Sequence, residues 1–195
     1  MSGPDRGAAK RLRPVGKGED AELDALFAEI EADGRTVANV QRVMGHNPSL
    51  VRGMAGLGDA VRFTHTLPDR WVELAILRLA IVARCPYPFS HHVLIALDLG
   101  FGEEQIARLV DWPDADCFDA DERLVLRATD EVERDAGLSD ATFAALSERL
   151  TERQVLDLVM ILAFYGLLVR VVNSTGTPVD DRVATVVDRY WPFRA

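Results

Sequence analysis

Apolar positions recur at helical intervals along the whole chain. Leu23, Leu26, Phe27 and Ile30 fall three and four residues apart, which predicts a helix over residues 21–32 that Asp33-Gly34 ends. A short helical turn follows over residues 37–44. Asn47-Pro48-Ser49 reads as a helix start, and Leu50, Met54, Leu57, Val61 and Phe63 supply an apolar stripe until Leu67-Pro68 breaks it. Residues 71–83 are apolar on nearly every face, interrupted only by Glu73 and Arg78. A helix of that kind is buried on several sides, so its two charged groups need partners.

The second half has the same character. The next helix starts near Cys85-Pro86-Tyr87-Pro88 and ends at Leu99-Gly100; a short piece over 103–110 and a loop over 111–119 with Pro113 and Cys117 follow. Residues 121–135 are amphipathic, and residues 139–149 open on a Ser-x-x-Thr cap and are expected to bury Phe143 and Leu146. Thr151-Glu152-Arg153-Gln154 is a capping box that launches a long apolar helix over 155–172, and a last helix covers 178–190. Sustained alternation and hairpin dipeptides are missing, so the fold class is all-α. One domain is expected over 21–195, behind a mobile tail over 1–20 that lacks the apolar run of a secretory signal.

Composition narrows the function classes. A chain of 195 residues buries roughly 70% of its unfolded surface around one core, and 48% hydrophobic with 27% charged residues is the balance of a soluble globular protein. The formal charge of -9 argues against nucleic acid and anionic membrane surfaces as partners. The longest uncharged helical run, 158–169, is shorter than the roughly 18–20 residues a bilayer span requires. Two cysteines, Cys85 and Cys117, are too few for a disulfide framework and too far apart for a metal knuckle, and a reducing cytoplasm is the expected compartment.

Candidate chemistry concentrates in residues 68–92. Cys85 stands at a helix entrance, where the positive end of the dipole favours thiolate over thiol; the opposing reading makes it a small buried hydrophobe. His91 and His92 are adjacent, so they point about 100° apart and only one enters a shared site. Glu73 either pairs with Arg70 or Arg78 or exchanges protons. Arg70, Arg78 and Arg84 are the nearby cations for an anionic substrate.

The run Leu67-Pro68-x-Arg70-x-x-Glu73-Leu74-Ala75-Ile76-Leu77-Arg78, then Cys85, His91-His92 and Gly100, resembles the carboxymuconolactone decarboxylase and alkylhydroperoxidase-D superfamily. Ala163-Phe164-Tyr165-Gly166-Leu167-Leu168 and Asn173-Ser174-Thr175-Gly176 also look like that family's C-terminal helix. The resemblance implies an alkylhydroperoxidase-D-like helical bundle, a homo-oligomer (dimer, trimer or hexamer), and a site between the helix bearing Glu73 and the helix beginning at Cys85. The peroxidase branch uses Glu, Cys twelve residues on, a second Cys three later and His four after that. Glu73, Cys85 and His92 occupy three of these positions, but Pro88 stands at the second cysteine. The thiol that His92 would touch four residues away on a helix is therefore missing.

The decarboxylase branch needs neither a cysteine pair nor a cofactor or metal. By resemblance its chemistry is proton transfer on a lactone carboxylate, with His92, or His91, as donor to carbon, Glu73 orienting it or holding its charge, and substrate contacts from Arg70, Arg78, Tyr87, His91, Tyr165 and Asn173. This lyase-like enzyme acting on a small organic acid is the leading expectation. A peroxiredoxin-type protein using Cys85 alone, and a non-catalytic small-molecule binder, are the alternatives.

Overall fold

The computed structural model describes residues 11–193. Ten α-helices follow one another there: α1 (Ala21–Ala32), α2 (Asn39–Met44), α3 (Pro48–Phe63), α4 (Asp69–Val82), α5 (Pro86–Asp98), α6 (Glu103–Arg108), α7 (Ala120–Asp135), α8 (Asp140–Ser147), α9 (Glu152–Thr175) and α10 (Ala184–Tyr190). The described residues contain no strand. Short 3-10 turns, Leu109–Asp114 and Asp181–Val183, precede α7 and α10.

Helix α4 is the axis of the core. Residues 72–81 are all buried, and α5, α7 and α9 pack around them. Both charged residues in this run find partners, though not the expected ones. Arg78 forks onto Asp130 of α7, with Nε 2.6 Å from Oδ1 and Nη2 2.8 Å from Oδ2. Its Nη1 donates to the carbonyls of Leu109 and Val110. The Trp112 indole N–H donates to the same Asp130. Glu73 pairs with neither Arg70 nor Arg78 but with His92 of α5.

The predicted caps form. Thr151 Oγ1 accepts from Gln154 N while Gln154 Oε1 accepts from Thr151 N, and Ser139 Oγ accepts from Thr142 N. Helix α9 runs 24 residues and extends six residues beyond each end of the uncharged segment 158–169. By length and composition it is long and apolar enough to cross a bilayer, but half of its apolar window is buried inside the domain, as in a core helix.

Three expectations change. Phe143 is 52% exposed while Leu146 is buried, because α8 touches the domain through one narrow edge. On α3 the expected stripe splits: Val61 is buried and Met54 half-buried, but Leu50, Leu57 and Phe63 are exposed, and Val51 and Gly58 are buried in their place. A Cβ on Gly58 would lie 3.1 Å from Phe164 Cζ, so this glycine permits the close approach of α3 and α9. Residues 1–10 of the expected tail lie outside the described residues. Residues 11–20 are docked, with Leu12 N donating to Thr175 O and Val15 N to Arg42 O, and the Val15 side chain buried against the cluster of Leu23 and Phe27.

Asp180 fastens the segment after α9 to the domain. Its Oδ1 accepts from Asn39 N at 2.8 Å, and its Oδ2 accepts from Tyr87 Oη at 2.6 Å and His91 Nε2 at 2.9 Å. The Tyr87 hydroxyl in turn accepts from Val40 N, and Arg182 donates to His91 Nδ1 at 3.1 Å. Burial pushes the Asp180 carboxyl up, but the bonds from His91, Tyr87 and Asn39 outweigh it and hold it below its ordinary value.

Two stability outcomes are expected. Arg78→Met leaves Asp130 charged and buried, costing about 3–5 kcal/mol and lowering Tm by roughly 10 °C; adding Asp130→Leu recovers part of that. Thermal melts giving a loss below about 1 kcal/mol for Arg78→Met contradict this accounting. A carboxyl held below its unfolded pKa contributes stability in full above that pKa, about 3.9, and loses it as pH falls through the lower native value. The Tm gap between the native chain and Asp180→Asn therefore narrows between pH 6 and pH 3, and a gap that widens on acidification runs against it.

Candidate active site

The turn from α4 to α5 brings Glu73 and His92, nineteen residues apart, onto facing helices. Arg84 makes that turn with a positive φ of 50°, and Cys85 caps α5 ahead of Pro86. His92 Nδ1 lies 2.7 Å from Glu73 Oε2, with both side chains under a tenth exposed. An ionised carboxylate only accepts hydrogen bonds, so Nδ1 carries the proton and Nε2 is the nitrogen left for chemistry. His92 Nε2 makes no hydrogen bond among the described residues, and the ring lines open space on two sides.

That space is two adjoining cavities. The larger, about 600 Å³, lies between α3, α5 and α9 and the loop after α1, within the size range of sites for drug-sized ligands. The smaller, about 280 Å³, reaches down to Glu73, Val72 and Ile76 of α4. Arg62, Phe63, His92, Ile95 and Tyr165 line both. Tyr165 meets His92 edge-on, with ring centroids 5.0 Å apart. Burial raises its phenol pKa, against a smaller opposing pull from the Arg62 charge. At neutral pH the hydroxyl is therefore a donor, and it has no partner among the described residues.

Cys85 does not share this position. Its side chain is fully buried and lines neither cavity. Burial pushes the thiol up to about 12, over the opposing hydrogen bond from the Tyr87 backbone N–H. The helix-dipole argument for a thiolate therefore loses to desolvation, which penalises the charged form more than one helix end favours it. Cys117 is half-buried, with its carbonyl receiving Gln105 Nε2.

The six expected substrate contacts divide evenly. Tyr87, His91 and Tyr165 line the larger cavity, though the hydrogen bonds of Tyr87 and His91 are committed to Asp180 and its neighbours. Arg70, Arg78 and Asn173 line neither cavity. Arg70 is held by Glu122 at 2.7 Å and by Gln105, with its guanidinium 3.9 Å over the Phe101 ring. Arg78 is spent on Asp130, and Asn173 Nδ2 donates to Ala83 O at the end of α4. Arg84 is exposed and stacks on Phe193. Sequence reasoning missed Arg62, Arg182 and Asp180, which reach the site or its wall only through long-range packing and carry no local spacing signal.

A model of the carboxymuconolactone decarboxylase family matches residues 48–131, the stretch that holds Glu73, Cys85 and His92. No curated protein matches the sequence. Among solved structures, a cysteine-to-alanine form of the debrominase Bmp8 in complex with 2,3,4-tribromopyrrole superposes with a TM-score of 0.76 at 18% identity, covering 94% of this chain and 98% of that one. An uncharacterized peroxidase-related protein from Silicibacter sp. TM1040 gives 0.73 at 19% identity over 94% and 97%. An alkylhydroperoxidase AhpD core protein from Ralstonia eutropha JMP134 gives 0.70 at 20% over 90% and 96%. The segment carrying α4 and α5 thus matches the carboxymuconolactone decarboxylase family, and the whole bundle has the fold of these alkylhydroperoxidase-D-like helical proteins.

Proposed function

We propose that the protein is an acid/base enzyme in which His92 moves a proton to or from a small organic molecule held in the larger cavity. The observation that carries this is the 2.7 Å bond from His92 Nδ1 to Glu73, which leaves Nε2 unpartnered beside open space. Neutral Nε2 takes a proton from an acidic C–H or O–H of the substrate, and Glu73 stabilises the resulting imidazolium across the existing bond. Returned to a different atom, the proton completes an isomerisation. In the decarboxylation form, the imidazolium delivers its proton to the carbon that has lost carbon dioxide, and solvent restores it. The Tyr165 hydroxyl donates to the substrate oxygen on which negative charge grows.

A thiol-based reading has less support. One buried thiol with a pKa pushed to about 12 is almost entirely un-ionised at neutral pH, and Pro88 lines the cavity where the peroxidase motif has its second cysteine. Self-association also belongs to this proposal. Leu156, Met160, Ala163 and Leu167 form an exposed row along α9 at helical spacing, and Leu94, Ile95 and Leu99 expose another on α5; burying such rows against a second copy supports a homo-oligomer.

A screen of lactones and small organic acids, followed by product analysis, tests the chemistry. For a substrate that turns over, His92→Ala is expected to lower kcat/KM by about 10²–10⁴-fold. Cys85→Ala, which removes a buried thiol without adding a polar atom, should stay within a few fold. Full activity in His92→Ala with loss in Cys85→Ala reverses the assignment.

A further inference from the structure

The charge of the larger cavity contradicts that of the protein around it. The chain carries -9, yet the cavity lining holds three arginines, Arg35, Arg62 and Arg182, against one carboxylate, Asp59. Two of these arginines are committed. Arg35 is paired with Asp59 at 2.7 Å and Asp33 at 2.9 Å, and Arg182 donates to His91, which leans on Asp180.

Arg62 has no carboxylate or hydrogen-bond partner among the described residues; its guanidinium rests 5.1 Å over the ring of Phe63. Exposed on its outer side, it is also the one arginine that lines both cavities, as His92 and Tyr165 do, and its charge is felt at the Tyr165 hydroxyl. The smaller cavity adds Asp69 and Glu73 to its walls, so an anion is favoured on the side of the larger cavity. There much of the wall is apolar, including Val51, Met54, Phe164 and Leu168, with Gln41, Thr36, Tyr87 and the two histidines among its uncharged or titratable polar members. An unpaired guanidinium at the edge of an apolar chamber provides planar, two-pronged recognition of a carboxylate or sulfonate.

We infer that Arg62 is the substrate-selecting residue of this cavity, and that the ligand class is a hydrophobic anion whose acidic group sits on Arg62 while its apolar body fills the space between α3, α5 and α9. The inference rests on the larger cavity being the substrate site. It assigns to α3, outside the Glu73 to His92 motif, the choice of which molecules reach His92. The anion is held at the junction of the cavities, so the part of the molecule next to its acidic group is the part presented to Nε2.

A matched pair of fluorescent probes tests this with the full chain. 8-Anilinonaphthalene-1-sulfonate carries the anion, and N-phenyl-1-naphthylamine has the same aromatic frame without it. The expected result is that Arg62→Gln weakens the sulfonate probe on the order of tenfold and leaves the neutral probe within twofold. Arg52→Gln, an exposed charge on the same helix that lines neither cavity, should leave both probes within twofold. Unchanged sulfonate affinity in Arg62→Gln overturns the inference; so does an equal loss of both probes, or an equal loss in Arg52→Gln. The titration contains no chemistry, so its failure is separate from failure of the His92 turnover test.

Discussion

A helix buried on every side cannot keep a bare charge, and α4 carries two. Residues 72–81 are sealed by α5, α7 and α9, so Glu73 and Arg78 each require a partner delivered by another helix. Removing one partner of a buried charged pair costs about 3–5 kcal/mol, a large part of a domain's net stability. The two solutions differ. Arg78 is met by Asp130 and two backbone carbonyls, a closed set with nothing left over. Glu73 is met by His92 through one nitrogen; the other makes no hydrogen bond among the described residues, and His92 lines a cavity. The same constraint produces a closed structural cross-link at Arg78 and, at Glu73, a pair that borders a cavity.

Much of this frame is legible in the amino-acid sequence because it is local. The all-round apolar run of α4, the stop at Asp33-Gly34 and the capping box at Thr151 are fixed within a few residues of each other, and the structure carries them. The need for partners at Glu73 and Arg78 is legible too. Which partners they take is not, since Arg70 and His92 both lie within chain distance of Glu73 and only the angle between α4 and α5 decides. The α3 stripe holds only in part, for a related reason. Leu50, Leu57 and Phe63 satisfy a helical period, but Gly58 lets α3 lean on Phe164 and turns a different face inward. Cys85 shows two rules in competition: a helix start favours the thiolate, and burial, which no spacing reports, outweighs it. Asp180 and Arg62 depend on contacts far along the chain and have no sequence signature at all.

The net charge of -9 describes the outer surface and not the chamber. Arg70 and Arg78, which looked available to a substrate, are bound into the fold, and the cavity arginine without a carboxylate or hydrogen-bond partner among the described residues is Arg62 on α3. The segment that matches the family model supplies the Glu73–His92 pair, and residues of α3 and α9 line the cavity beside it. Apolar side chains, a phenol held neutral by its burial and the Arg62 guanidinium line the same cavity as His92.

The central claim is that Glu73 fixes the tautomer of His92, and nitrogen NMR of the protein labelled with ¹⁵N-histidine measures it directly. At neutral pH, His92 is expected to show a protonated Nδ1 and a bare Nε2, with the Nδ1 proton signal displaced far downfield and shifted or lost in Glu73→Gln. An Nε2-protonated ring, or a His92 signal indifferent to Glu73→Gln, would contradict the account.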